Sequence, residues 1–141
     1  MITIYKEDSL KRSRAYGYYK GAVKDRLKYF VETGNGFQGN TLLSSLDEDC
    51  AGIIWAEDNG VIVSCASYNL TKIGKKIFTV DFFQANNDDI YTQVNEYIEQ
   101  FAGSLKCYFI EEMVTAKDDQ RVNHLENIGY RKEFTLLFKK V

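Results

Sequence analysis

The sequence predicts an α/β (α+β) domain: a mixed sheet with a central antiparallel meander and helices on both faces. Three observations carry this. The apolar runs from Ala51 to Ala56 and from Gly60 to Leu70 flank Glu57-Asp58-Asn59-Gly60, and Asn-Gly between two such runs is the strongest short-range hairpin signal. The stretch from Ile77 to Phe83 is dense in β-branched and aromatic residues and reads as the third strand of the meander, with little exposed surface. That strand runs into a helix from about Asp88 to Phe101, in which Ile90, Val94, Ile98 and Phe101 recur at steps of four, four and three. A further strand from Lys106 to Ile110 follows, and a helix between two strands makes them parallel neighbours.

The remaining elements follow in order. Met1 to Tyr5 alternates apolar and polar, as a short strand does. From Leu10, capped by Ser9, to about Thr33 the residues Tyr16, Tyr19, Val23, Leu27 and Phe30 mark an amphipathic helix that Gly34-Asn35-Gly36 ends. Gly17 and Gly21 inside it predict a bend or a close backbone approach. Phe37 to Asn40 reads as loop, and Thr41 to Leu46 as one helical turn before Asp47-Glu48-Asp49. On the return strand of the hairpin, Val61, Val63, Cys65 and Ser67 are expected on one face, with the next turn at Thr71 to Lys75. Gln84-Ala85-Asn86-Asn87 connects strand to helix, with Asn87 or Asp88 as its cap, and Gly103 stops that helix. Lys117 to Asn127 is a last helix, broken at Gly129, and Phe134 to Val141 a last strand.

A length of 141 residues predicts one domain with a core of its own. Hydrophobic residues at 45% and charged residues at 27% are ordinary for a folded protein. A net charge of −2 gives no global push toward nucleic acid or an anionic membrane. Cys50, Cys65 and Cys107 lie in apolar runs without paired spacing; they read as reduced core thiols in a cytoplasmic setting, with no metal site. No run approaches the length of a membrane span, and no secretory leader is expected.

The order strand, helical region, three-stranded meander, helix, strand, helix, strand resembles the GNAT family of N-acetyltransferases over nearly the whole length. Glu-Asp-Asn-Gly-Val-Ile-Val-Ser at 57–64 is similar to that family's hairpin into its third strand. Leu-Glu-Asn-Ile-Gly-Tyr-Arg-Lys-Glu at 125–133 is similar to its C-terminal Tyr-Glu-Lys-x-Gly-Phe motif. The resemblance implies acetyl-CoA as cosubstrate, its pyrophosphate wrapped by a strand-to-helix connection of the form Arg/Gln-x-x-Gly-x-Gly/Ala. Here Gln84 to Ile90 holds neither a glycine nor a basic residue, and Asp88 and Asp89 repel a phosphate. The resemblance also implies a tyrosine general acid four residues before Gly129, where this chain has Leu125. Glu126 matches the family's glutamate, usually structural, and Tyr130 fills the Phe position as a core residue. A leucine at the acid position also resembles GNAT-like proteins of T7-like phages that are built into or packaged with the virion.

These departures favour a GNAT-fold protein that has lost acetyl transfer, binds no cofactor and acts through protein contacts, as a phage virion or host-directed component. The alternative is an active acetyl-CoA-dependent N-acetyltransferase on a small amine or protein amine. On that reading the resemblance implies that Asp81 is the catalytic base, since the family often carries on this strand a carboxylate that takes the amine's proton. Alone in an apolar strand, Asp81 must face a polar pocket, solvent or a partner, because burial unpaired is costly. Val80, Phe82, Phe83, Asn86 and Asn87 then hold the cofactor, the strand backbone pairing with its pantetheine arm. Glu111 and Glu112 offer carboxylates of the same kind. His124, the only histidine, reads as a half-buried helix residue more readily than as a base. The first helix carries Lys11, Arg12, Arg14, Lys20, Lys24, Arg26 and Lys28 among Tyr16, Tyr18, Tyr19 and Tyr29. Such a pattern can dock on nucleic acid or an acidic protein, but reads first as a solvated face over a core stripe. A protein partner is therefore expected, and neither nucleic acid nor membrane. In the resemblance this helix and the loop from Phe37 to Asn40 shape the acceptor groove.

Overall fold

In the computed structural model, residues 1–34, 40, 52–112, 114 and 119–132 are described. The turn from Thr41 to Leu46, the acidic run from Asp47 to Asp49, Cys50, the loop from Phe37 up to Gly39 and the final strand from Phe134 to Val141 lie outside these residues. Strand β1 (Ile2–Glu7) is followed by helix α1 (Tyr16–Thr33), then strands β2 (Gly52–Asp58), β3 (Val61–Ile73) and β4 (Lys75–Ala85). Helix α2 (Asp88–Ser104), strand β5 (Phe109–Glu112) and helix α3 (Asp119–Asn127) complete the order. The five strands lie side by side as β1-β2-β3-β4-β5. The first three pairings are antiparallel and β4 with β5 is parallel, the mixed sheet expected of a meander followed by a helical crossover.

Helices cover both faces, and the residues of β2 alternate between two cores. Ile53 and Trp55 pack with Leu10, Tyr19, Val23 and Phe30 under α1. Ile54 and Ala56 pack with Phe78, Val80, Ile90, Val94 and Ile98 under α2, where Leu125 of α3 joins them. Asn59 and Gly60 take φ of 50° and 84°, the left-handed pair that a two-residue hairpin of the strands' own twist needs.

Two bulges decide which side chains face which helix. At the first, Ala56 pairs with Ser64 and Glu57 with Ile62, so Val63 is extra. Val63 therefore faces the α2 core while Cys65 faces α1, correcting the expectation of one shared face. At the second, Ser67 pairs with Phe82 and Tyr68 with Val80, leaving Asp81 as the extra residue of β4. An inserted residue bends its strand and leaves backbone groups outside the ladder.

Several boundaries move for stated reasons. The helix begins at Tyr16, not Leu10, because Leu10 is fully buried and the segment after it turns through Ser13 N–H to Leu10 O and Ala15 N–H to Ser13 Oγ. Ser9 is no cap. Arg14 in that segment reaches Glu57 Oε2 at 2.6 Å, which also accepts from Trp55 Nε1 at 2.8 Å; these donors, the indole first, hold the Glu57 carboxyl below its ordinary range. The turn after β3 is shorter than expected, since β-branched Thr71 and Ile73 continue the ladder and Gly74 alone takes positive φ, 71°. Helix α2 passes Gly103 and ends where Lys106 turns left-handed at φ 60°, with Lys106 N–H on Gly103 O and Cys107 N–H on Ala102 O. That double closure is a Schellman cap. It uses Lys106 and Cys107, so β5 starts at Phe109.

Gly17 and Gly21 make no close approach: a Cβ at either meets nothing within 4 Å. A mid-helix glycine costs about 0.5–1 kcal/mol relative to alanine. Gly21→Ala is therefore expected to stabilise the protein by about that amount, read as a higher urea midpoint at unchanged slope; a lower midpoint would show that the glycine is needed. Among the described residues no helix is long and apolar enough to cross a membrane.

Candidate active site

The site is built where the sheet opens. The β4–β5 ladder runs from Ile77–Phe109 to Val80–Glu112, while β4 continues to Ala85. Beyond Val80 the β5-facing edge of β4 therefore has no strand partner among the described residues. An extended ligand carrying amides can pair with such an edge. The edge leads directly to the start of α2.

There, Asn87 caps the helix as expected, its Oδ1 accepting from Ile90 N–H at 2.9 Å. A helix start leaves backbone N–H groups without intrahelical carbonyls and carries partial positive charge. In front of it lies a cleft of about 280 Å³ lined by Gln84 to Asp88, Tyr91, Arg26, Arg121 and His124. The positive charge missing from the connection thus comes from α1 and α3. Arg26 lies over the Phe82 ring at 5.3 Å, and Arg121 over the Tyr91 ring at 4.5 Å. Arg121 also donates from Nη1 to Phe83 O at 2.9 Å, on the same stretch of strand. Two guanidiniums and a helix start outweigh the one carboxylate, Asp88, that lines the cleft, so its chemistry suits a phosphate group.

Asp81 sits at the bulge, at the head of the open edge. It is partly buried and accepts from Asn69 Nδ2 at 2.5 Å. Tyr68 belongs to the α2-side core, so by strand alternation Asn69, and Asp81 with it, lie toward α1. Val80, Phe82 and Phe83 are buried through their side chains, so only backbone could meet a ligand there; that of Val80 lies in the ladders with Tyr68 and Glu112, and Phe83 O already accepts from Arg121. Asn86 and Asn87 are exposed at the cleft, Asn86 anchored by its N–H on Val63 O. Glu111 points outward and is exposed, whereas Glu112 points inward and accepts from the Tyr91 hydroxyl at 2.7 Å. His124 lies against the edge of Tyr91, with Nε2 3.3 Å from Thr92 Oγ1.

The C-terminal motif is a helix cap. Gly129 takes φ 102°, its N–H meets Glu126 O, and Tyr130 N–H meets Leu125 O at 2.9 Å. This is again a Schellman closure, and Leu125 and Tyr130 form its apolar contact within the core. Leu125 is 5% exposed and has no proton to give. The tyrosines of α1 also prove structural: Tyr19 is fully buried with its hydroxyl on Ser67 Oγ, and Tyr16, Tyr18 and Tyr29 pack on the same core. Lys11, Arg12, Lys20, Lys24 and Lys28 are exposed, the solvated face expected. Cys65 is buried, its thiol pushed up to about 12 by desolvation, and no group of metal-holding side chains occurs among the described residues.

Arg26, Arg121 and Tyr91 are the site residues that the sequence does not announce. Arg26 is one of seven cations between Lys11 and Lys28, and nothing local marks it. Arg121 has no spacing relation to the connection it faces, because only the tertiary crossover brings α3 there.

No protein-family profile matches the chain, and no curated protein matches it in sequence. Solved structures do match. A ribosomal-protein-alanine N-acetyltransferase from Brucella melitensis biovar Abortus 2308 aligns over 100% of both chains with a TM-score of 0.67 at 11% identity. The aminoglycoside N-acetyltransferase AAC(6')-Iy, in a complex with CoA, aligns over 99% of each chain with a TM-score of 0.65 at 9% identity. An aminoglycoside acetyltransferase from an uncultured soil metagenomic sample covers 100% of this chain and 99% of its own, with a TM-score of 0.61 at 14% identity. With its meander, its parallel β4–β5 pair opening at Val80 and its helices on both faces, the chain has the GNAT fold.

Proposed function

We propose that this protein is an acyl-CoA-dependent N-acyltransferase, with acetyl-CoA as the acyl donor and an amine as the acceptor. The observation that carries the reading is the continuity of the cleft. The open β4 edge from Asp81 to Ala85 ends at the start of α2, between Arg26 and Arg121. A pantetheine arm needs an extended edge for its amides, and a pyrophosphate needs cations and backbone N–H groups at the end of that edge. The open edge of β4 offers the first, and the start of α2 with Arg26 and Arg121 offers the second. CoA bound to a structural neighbour of the same fold supports the assignment.

Of the two readings left by the sequence, loss of transfer rested on a glycine-free connection without a base and on Leu125. Arg26 and Arg121 meet the first point. The second removes one proton donor and leaves the acceptor side intact. In this reading Asp81, partly buried beside Asn69, takes the proton that the amine nitrogen loses as it attacks. Proximity of amine and thioester in the cleft does the rest.

Incubation of the purified protein with acetyl-CoA and a panel of small amines, amino sugars and peptides ending in a free amine tests the reading. Mass spectrometry of the acceptors then follows the transfer. Acetylation of at least one acceptor class above the uncatalysed rate is expected. Uniform absence of transfer, with no competition by CoA for any ligand, would refute it.

A further inference from the structure

Tyr91 is tied at both ends. Its N–H closes the first turn of α2 on Asn87 O at 3.0 Å, and its hydroxyl donates to Glu112 Oε1 on β5 at 2.7 Å. Its ring lies 4.3 Å from that of Phe83 on β4 and meets the His124 ring of α3 edge-on at 5.4 Å. Tyr91 is 4% exposed, yet it lines the cleft at the start of α2. A close-packed ring with neighbours from three other elements has little freedom to move.

Arg121 lies over that ring. Arg121 and His124 are three apart on α3 and share a face, and both meet Tyr91. The guanidinium carbon stands 4.5 Å from the Tyr91 centroid and 5.6 Å from that of Phe83, each within the reach of a cation–π contact. Nη1 donates to Phe83 O at 2.9 Å, so a carbonyl fixes the group as well as the rings. A guanidinium is a planar fork of N–H donors that meets a phosphate through two parallel bonds. A long side chain already held in place loses less freedom when its ligand arrives.

On the acyltransferase reading, we propose that Tyr91 is a positioning residue for the anionic end of the acyl donor. It holds Arg121 where the pyrophosphate of CoA enters, and so makes the site prefer a nucleotide-bearing thioester to a short one. The hydroxyl of Tyr91 is engaged by Glu112, so its effect on the anion passes through Arg121. Arg26, over the Phe82 ring from α1, is a second cation of the cleft. Removal of the Tyr91 ring therefore weakens the site without abolishing it.

The residue type follows from these contacts. A leucine at 91 would fill core space but offer no π face to Arg121. A phenylalanine would keep that face but leave Glu112 Oε1 without the donor that fixes the far end of the ring. Tyrosine meets both needs: the ring serves the arginine and the hydroxyl serves the ring.

A double-variant cycle, read by calorimetric titration with CoA, tests this. Tyr91→Leu should weaken CoA binding by about 3- to 30-fold, the worth of a cation–π contact, and Arg121→Ala by at least as much. Added to Arg121→Ala, Tyr91→Leu should bring no further loss, because the group through which Tyr91 acts is gone. A ring that only fills the core would give the same loss in both backgrounds. S-acetylpantetheine carries the thioester arm without a phosphate. The preference for acetyl-CoA over it, as a ratio of kcat/KM values, should fall in Tyr91→Leu by the factor lost in CoA affinity.

Should Tyr91→Leu fold poorly, Arg121→Lys decides. It keeps the charge but neither the plane nor the fork, and should lose most of what Arg121→Ala loses. Parental CoA affinity in Tyr91→Leu or in Arg121→Lys, additive losses in the cycle, or an unchanged preference ratio would overturn the assignment. The acyltransferase reading would survive any of these. A parent that binds no CoA would overturn both.

Discussion

Asp81→Asn is expected to lower turnover by about 10²–10⁴-fold, the contribution of a positioned general base, while leaving the fold intact. The fold should survive because Asn69 Nδ2 donates to the residue at this position, and an asparagine there offers the same donor a carbonyl oxygen. What disappears is the ability to take a proton. The bulge fixes the consequence: Asp81 is the extra residue between the Val80–Tyr68 and Phe82–Ser67 pairs, so its place at the head of the open edge is set by the backbone and not by its own side chain. KM for acetyl-CoA should stay close to the parent value, since the cations that hold the anionic end lie at the other end of the edge. A loss confined to KM would show that Asp81 binds and does not catalyse. Full activity would remove it from the mechanism.

Phe78→Ala is expected to cost about 3–5 kcal/mol, the usual range for truncating a buried aromatic. Phe78 is fully buried, stacks on Tyr68 at 4.8 Å and meets the edge of Phe101 at 5.8 Å. It therefore joins β3, β4 and α2 at one point. The surroundings cannot close over the gap cheaply. Tyr68 lies over Gly52, where a Cβ would stand 2.2 Å from its ring, so the ring is wedged between that glycine and Phe78. Since a domain is typically stable by about 5–15 kcal/mol in total, the change removes a large fraction of the margin. Urea unfolding followed by fluorescence of Trp55 measures it; a shift below about 1 kcal/mol, the range of a volume-conserving swap, would mean that the aromatic cluster is not the centre of the core.

The elements most legible in the sequence are those set by local chemistry. Asn59-Gly60 can hardly be anything but a two-residue turn, and Asn87 ahead of Ile90, Val94 and Ile98 marks a capped helix. The parallel β4–β5 pair follows from the helix between them. The bulges at Val63 and Asp81 were not legible, because an inserted residue changes pairing without changing composition. They reverse the face of every side chain beyond them, which is why Val63 and Cys65 part company. The end of α2 was misplaced for a related reason: Gly103 is the better left-handed residue, but closure at Lys106 keeps Ala102 buried.

The candidate site divides in the same way. Asp81 stands out in the sequence as a carboxylate within an apolar strand. Asn87 stands out as a cap. Arg26 and Arg121 do not, since their shared cleft is made by α1 and α3 arriving at the connection from opposite sides of the sheet. The connection alone therefore looked hostile to phosphate, with Asp88 and Asp89 in its first turn. In the folded chain Asp89 is occupied along its own helix by Gln93, and two guanidiniums share the cleft with Asp88.

The most direct measurement is a calorimetric titration of the protein with CoA and acetyl-CoA at low and at physiological salt, repeated on Arg26→Ala with Arg121→Ala. Saturable binding in the micromolar range is predicted for the parent, weaker at the higher salt and largely lost in the double variant, because paired charges in an open cleft are screened and the arginines carry the anionic end. Absence of heat and of thermal stabilisation at millimolar CoA would contradict the account. Binding that persists unchanged without the two arginines would place the anionic end elsewhere.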